Sequence, residues 1–178
     1  MVLCAVPQMP ATNDARCDEI VLCAEDYPES FVNGSHPEDH AVCNKPIEPQ
    51  HLYHHVRGRH NRLWLRVSWQ TPDGNSYVNL SFMLDTGAPK HMYLSEPTMR
   101  VVEALGLVHV DEDVDIQYVR LFGRKCSVDP TPRAHAPANI IGLKLLKQLG
   151  LTLMPGPPHF CFANNLTFFS PEATAGAT

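Results

Sequence analysis

Two alternating segments facing each other across one turn constrain this chain more than any other feature. In residues 62–70, Leu63, Leu65, Val67 and Trp69 fall on one side and Arg62, Trp64, Arg66 and Ser68 on the other. In residues 77–84, Val78, Leu80, Phe82 and Leu84 oppose Tyr77, Asn79, Ser81 and Met83. A period of two over this length predicts half-buried strands. Between them, Thr71-Pro72-Asp73-Gly74-Asn75 supplies turn chemistry: proline pre-sets φ, and glycine accepts the left-handed backbone. Residues 62–84 therefore read as a β-hairpin. Its second strand runs out into Leu84-Asp85-Thr86-Gly87-Ala88. A carboxylate at that place meets desolvation from the strand and N–H donors from the turn, the two influences that tune its ionisation. Asp-Thr-Gly occurs only once in the chain.

The rest of the sequence organises around this hairpin. Ser95 is placed to cap a helix whose first turn tolerates Pro97, whose apolar face is Met99, Val102 and Leu105, and which Gly106 ends. A second hairpin is expected over 115–129, with Phe122-Gly123-Arg124-Lys125 near its turn. Asn139-Ile140-Ile141-Gly142 leads into a short helix, Leu143–Leu149, ended by Gly150, with Leu145, Leu146 and Leu149 inward and Lys144 and Lys147 toward water. A further hairpin is read around Ala163-Asn164-Asn165 within 159–169. Trp64 and Trp69 lie on opposite strand faces, one expected in the core and one at an interface. Cys126 and Cys161 sit in apolar strand contexts and read as buried thiols.

Residues 1–55 differ: they hold four of the six cysteines, several prolines and many acids, and show no sustained period. They read as an irregular N-terminal arm, followed by a domain over 56–169 and a flexible tail over 170–178. At 178 residues and 44% hydrophobic content, one core is expected rather than two. A net charge of −5 argues against a nucleic-acid surface, and no apolar run reaches the roughly 20 residues that span a bilayer. The opening Met-Val-Leu-Cys-Ala-Val is too short for a signal core, and six irregularly spaced cysteines suit a reducing compartment. An intracellular, cytoplasmic location is the expectation.

The hairpin running into Leu84-Asp85-Thr86-Gly87-Ala88, taken with Ala138-Asn139-Ile140-Ile141-Gly142-Leu143-Lys144-Leu145-Leu146, resembles the retropepsins, the homodimeric aspartic proteases of retroviruses and retroelements. Ile141-Gly142-Leu143 followed by Leu145, Leu146 and Lys147 is also similar to cellular retropepsin-like domains of the DNA-damage-inducible family. The resemblance covers residues 60–155. It implies an all-β, closed-barrel-like domain with one or two short helices, working as a homodimer. It implies that Asp85 of each chain is catalytic, because peptide hydrolysis by this chemistry needs two carboxylates sharing one proton. A single Asp-Thr-Gly then requires the second Asp85 from an isologous partner. Thr86 would bond to its symmetry mate, Gly87 would keep a Cβ away from substrate, and Ala88 would contact substrate backbone. Ile140, Ile141 and Gly142 would support the loop from beneath. No metal or organic cofactor is implied, and the partners are a second copy and an extended polypeptide with apolar residues flanking the scissile bond.

The chain also departs from that pattern. Where retroviral enzymes carry an acid after Asp-Thr-Gly-Ala and an arginine after the downstream glycine, Pro89 and Leu143 stand here. Both members of that ion pair are missing, so no orphan charge remains. The Gly-rich flap is not recognisable: between Gly106 and Asp115 there is only Leu-Val-His-Val-Asp-Glu-Asp-Val. Either the 115–129 hairpin serves as flap or the flap is missing. After Leu153 the chain diverges into Met-Pro-Gly-Pro-Pro, which leaves the contribution of Phe160–Phe169 to a dimer open. The alternative to an endopeptidase is therefore a catalytically weak or inactive retropepsin-like module for dimerisation or peptide binding. Cys17, Cys23, His36 and His40, with Cys43 close by, have the order of zinc-finger ligands, but the cysteine spacing is wide and finger hydrophobics are lacking. His51, His54, His55, Arg57 and Arg59 read as a solvated basic patch.

Overall fold

The computed structural model describes residues 22, 24–55, 61–121, 124–155 and 160–163. The expected hairpin forms as β3 (Asn61–Gln70) and β4 (Tyr77–Asp85), paired antiparallel with Leu65 opposite Phe82 and Trp69 opposite Val78. Upstream lie β1 (Val42–Cys43) and β2 (Gln50–His55). Downstream follow β5 (Met92–Leu94), α1 (Glu96–Ala104), β6 (His109–Asp111), β7 (Ile116–Leu121), β8 (Arg124–Pro130) and β9 (Asn139–Gly142). The described chain closes with α2 (Leu143–Leu149), β10 (Leu151–Leu153) and β11 (Phe160–Phe162).

One mixed sheet runs β2-β3-β4-β9-β5-β8-β7-β6, with β1 paired to β4 beyond the end of β9. The mostly-β class holds, and barrel closure does not follow from these pairings. Among the described residues the sheet is an open path with β2 and β6 at its ends. Its β2 end meets the separate β10–β11 pair instead, where the His51 ring stacks on Phe160 with centroids 4.6 Å apart. Phe160–Phe162 pairs back to Leu151–Leu153, and the hairpin expected over 159–169 falls mostly on residues 164–169, which lie outside the described ones.

The main core lies on one face of the sheet, where Leu65, Val67, Trp69, Val78, Leu80, Phe82 and Leu84 meet Val102 of α1 and Leu145, Leu146 and Leu149 of α2. Both helices end as their sequences predict. Gly106 (φ 68°) and Gly150 (φ 67°) take the left-handed backbone that a side chain resists. Cys126 is buried as expected, whereas Cys161 is only partly so.

The opposite face of β3–β4 is not open to water. Trp64, Met83 and Ile140 form a second apolar cluster with Leu22 and Ala138, against which Tyr27 and Phe31 pack. Both tryptophans are thus buried, and Trp64 faces the protein's own N-terminal segment rather than a partner. Residues 24–55, read from sequence as an irregular arm, form β1 and β2, and β2 pairs with β3 from Gln50–Arg66 to His55–Asn61. The arm also holds β3 by charge: Arg66, 2% exposed, donates to Asp39 at 3.1 Å and Glu38 at 3.0 Å, and Arg62 to Asp26 at 3.2 Å. Residues 1–21 and 56–60, the latter where the domain is expected to begin, lie outside the described residues.

Candidate active site

Asp85 is the last residue of β4, where the ladder to β9 ends with Asp85 opposite Gly142. Strand β9 is parallel to β4 and antiparallel to β5, so it lies between the two arms of the loop that carries Asp85. The turn closes on the carboxylate itself. Gly87 N–H donates to Asp85 Oδ1 at 2.8 Å, and Ala88 N–H to the Asp85 carbonyl at 3.3 Å. Asp85 is partly buried, while Thr86 and Gly87 are exposed.

Three backbone amides pin the far half of the loop. The first N–H groups of a helix have no partner within it. Here Gly142 N–H donates to His91 O (2.9 Å), Leu143 N–H to Ala88 O (2.7 Å) and Lys144 N–H to Lys90 O (3.2 Å). Such close approach needs a glycine: a Cβ on Gly142 would sit 2.7 Å from the Ala88 carbonyl oxygen, inside contact distance. Ile141 packs into the main core and Ile140 into the Trp64 cluster, which Ala88 also touches. Asn139, 4% exposed, bonds β4 to the start of α1: its Nδ2 donates to Ser81 O (3.0 Å) and its Oδ1 accepts from Ser95 N–H (2.9 Å). The structure therefore brings Asp85, Thr86, Gly87, Ala88, Ile140, Ile141 and Gly142 together.

A cleft of about 600 Å³ opens beside this loop. Pro89, Lys90 and Lys144 form one side, Val110, Asp115, Ile116 and Gln117 another, and Ser127–Pro130 of β8 the floor. Asp85 is not on its lining; the cleft begins at Pro89. Lys90 pairs with Asp129, a hydrogen bond that holds the ammonium pKa above its usual value. Behind the floor, His91 is 6% exposed, with Nδ1 2.9 Å from Ser127 Oγ and Nε2 3.2 Å from the Gln148 amide. Burial, and then the nearby Lys144 ammonium, push the His91 pKa below 6.5.

The segment between Gly106 and Asp115 contains a strand that its acidic sequence hid. β6 pairs with β7, His109 opposite Tyr118 and Asp111 opposite Ile116, around a turn in which Asp115 has φ 50°. Lys125 of β8 bonds Asp111 at 2.7 Å across this small hairpin. The 116–130 hairpin also forms, with its tip Phe122-Gly123 outside the described residues.

Of the zinc candidates, Cys17 and Cys23 lie outside the described residues. His36 Nδ1 accepts from Glu38 N–H (3.3 Å), and His40 Nε2 lies 2.7 Å from Thr98 Oγ1. Among the described residues no three His, Cys, Asp or Glu side chains are grouped to hold a metal. In the basic patch, His54 Nε2 lies 2.7 Å from the Glu25 carbonyl oxygen. No described helix is long and apolar enough to cross a membrane.

The residues missed in the sequence are Lys90, Lys144 and the β6–β7 hairpin. Lys144 was assigned only to the wet face of a helix, and nothing local shows which element faces that helix. Val108-His109-Val110 was the one legible sign of a strand there. Compared with protein-family models, with curated proteins and with solved structures, the chain has no match.

Proposed function

We propose that the chain is a homodimeric aspartic endopeptidase of retropepsin type, with one Asp85 from each copy. The observation that carries this reading is the loop: a partly exposed carboxylate at a strand end, with the inserted strand β9 between its arms and the Gly142, Leu143 and Lys144 amides fixing its far half. A catalytic carboxylate needs such rigidity, because it must meet both a water and a second carboxylate within hydrogen-bond reach.

The chemistry follows from the pairing. Two carboxylates at that distance share one proton. The ionised one takes a proton from water as its oxygen attacks the peptide carbonyl carbon, and the protonated one donates to the carbonyl oxygen. Collapse of the tetrahedral intermediate breaks the C–N bond as the amine nitrogen takes up a proton. In this reading the barrel is completed and the second Asp85 supplied by the dimer, and the β6–β7 hairpin is the cover over the bound peptide. An extended polypeptide is the substrate.

One observation favours the alternative, a peptide-binding or dimerisation module without turnover. The β6–β7 ladder is three residue pairs long, and its turn carries Glu112, Asp113 and Asp115. A short cover leaves a wet site, which weakens electrostatic stabilisation of the transition state.

Cleavage of a mixed peptide library at about pH 4–6 separates the two. Dimer formation is verified in parallel by sedimentation. The expected result is cleavage by the wild type and a loss of at least about a thousandfold in Asp85→Asn. A verified dimer that cuts nothing over that range overturns the enzyme and leaves the module.

A further inference from the structure

Lys144 stands out among the charged groups around the cleft. Lys90 is neutralised by Asp129. Asp115 stands across on the β6–β7 side. Lys144 is exposed, lines the cleft beside Pro89 and Lys90, and has no carboxylate within ion-pair reach among the described residues. Its backbone N–H donates to Lys90 O, so the point from which this side chain springs is fixed relative to the Asp85 loop. His91, behind the same wall, supplies no competing cation while it is neutral.

The remaining walls are mixed, with Gln117, Ser127 and the Lys90–Asp129 pair set among apolar residues. Val110 and Ile116 are 54% and 46% exposed, and with Pro89, Val128 and Pro130 they bound the space between Lys144 and Asp115. An occupant must therefore cover aliphatic surface with a stem and present a negative head at the α2 end. An acidic head at the hairpin end would meet Asp115, so only one orientation is complementary. Among the described residues β6 is the terminal strand of the sheet, which suits an extended chain alongside it better than a compact ligand.

We infer that this cleft binds an acidic side chain, aspartate or glutamate, of an extended peptide, with Lys144 as the residue that selects it. The inference rests on the endopeptidase reading for its place in catalysis: it adds a preference for an acid at one position removed from the scissile bond, beyond the apolar residues flanking that bond. Lys144 touches no reacting atom in this scheme. It determines specificity, so its loss alters which peptides are taken and not the chemistry at Asp85.

The test has two arms. Cleavage profiling of a peptide library compares wild type with Lys144→Glu and Lys144→Met, surface substitutions that leave the core untouched. The expected outcome is enrichment of Asp or Glu at one position in the wild type, loss of it in Lys144→Met, and a turn toward Lys or Arg in Lys144→Glu. The swing in acid-over-base selectivity should be about tenfold. Unchanged profiles in all three proteins overturn the inference and leave the endopeptidase standing. The second arm measures anisotropy of labelled peptides, alike except for one Glu, Gln or Lys, on the Asp85→Asn protein. Tighter binding of the Glu peptide, reversed in Asp85→Asn/Lys144→Glu, supports the acidic site even where nothing is cut. Equal affinities for the three peptides refute it.

Discussion

The two faces of the β3–β4 hairpin are buried to a similar degree by opposite means. On one face, Leu65, Val67, Trp69, Val78, Leu80, Phe82 and Leu84 meet the two helices, and Trp69 stacks on Phe82 with ring centroids 5.7 Å apart. On the other, Arg66, Ser68, Asn79 and Ser81 follow the Trp64–Met83 pair along the hairpin and are 6% exposed or less. The second face is closed by polar partners from the N-terminal arm. Ser68 Oγ donates to Asn79 Oδ1 (2.6 Å) and accepts from Ile47 N–H (2.8 Å), and His40 N–H donates to Asn79 O (3.0 Å). Apolar burial is non-directional and tolerates exchange of side chains, whereas a buried polar face depends on partners, which Arg66, Ser68 and Asn79 find here and Ser81 Oγ does not. Asp85 belongs to the polar face by strand parity, so the arm stands behind the candidate site as well as behind the sheet.

The sharpest way to break this comparison is to damage each face in turn. Phe82→Ala on the apolar face should cost about 3–5 kcal/mol, read as a lowered urea midpoint, because it leaves a cavity beneath Trp69. Asp39→Ala on the polar face should cost about 2 kcal/mol, since it removes the buried one of the two carboxylates that hold the Arg66 guanidinium and leaves only the exposed Glu38. The two faces then part company under repair. Asp39→Leu with Arg66→Met should return stability to within about 1 kcal/mol of wild type, because a buried ion pair is often replaceable by apolar residues of similar volume. A double variant as unstable as Asp39→Ala alone would mean that the arm needs its charges to dock.

The same contrast explains what could be read in the sequence. The apolar face was legible because alternation, turn residues and helix caps are local signals: β3, β4, α1 and α2 were all found, α2 to the residue. The Asp85 loop and the Ile140-Ile141-Gly142 segment were found together through a motif pair, and Gly142 is explained by carbonyls crowding where a Cβ would point. The arm was not legible. Its ion pairs join residues 27 to 36 positions apart, and period-two reasoning places Arg66 only on the face opposite the main core, because nothing in 62–84 announces the cover. β6 was missed for a related reason, since three residues beside an acidic turn carry almost no pattern. Lys144 shows the same limit at the cleft: its helix face was right, but its neighbours are set by the tertiary fold.

The smallest expected effect concerns protons on the polar face. His40 sits at φ 70°, with Nε2 2.7 Å from Thr98 Oγ1, and burial lowers its pKa below 6.5 while Asp39 opposes part of that shift. A histidine whose folded pKa is depressed binds its proton more readily when unfolded. Its neutral form costs the fold nothing above about pH 6.5, and the unfolded chain gains the advantage as pH falls from there toward the folded pKa. His91, buried on the cleft side, carries the same sign, so both regions lose stability in acid. His40→Asn removes the titration on the arm alone, and asparagine tolerates the positive φ better than most residues. The urea midpoint of the wild type should fall between about pH 7.5 and pH 5.5, and His40→Asn should fall less over the same interval. An equal fall in both proteins would assign the acid sensitivity to His91 and to His51, whose pKa burial also lowers, and not to His40.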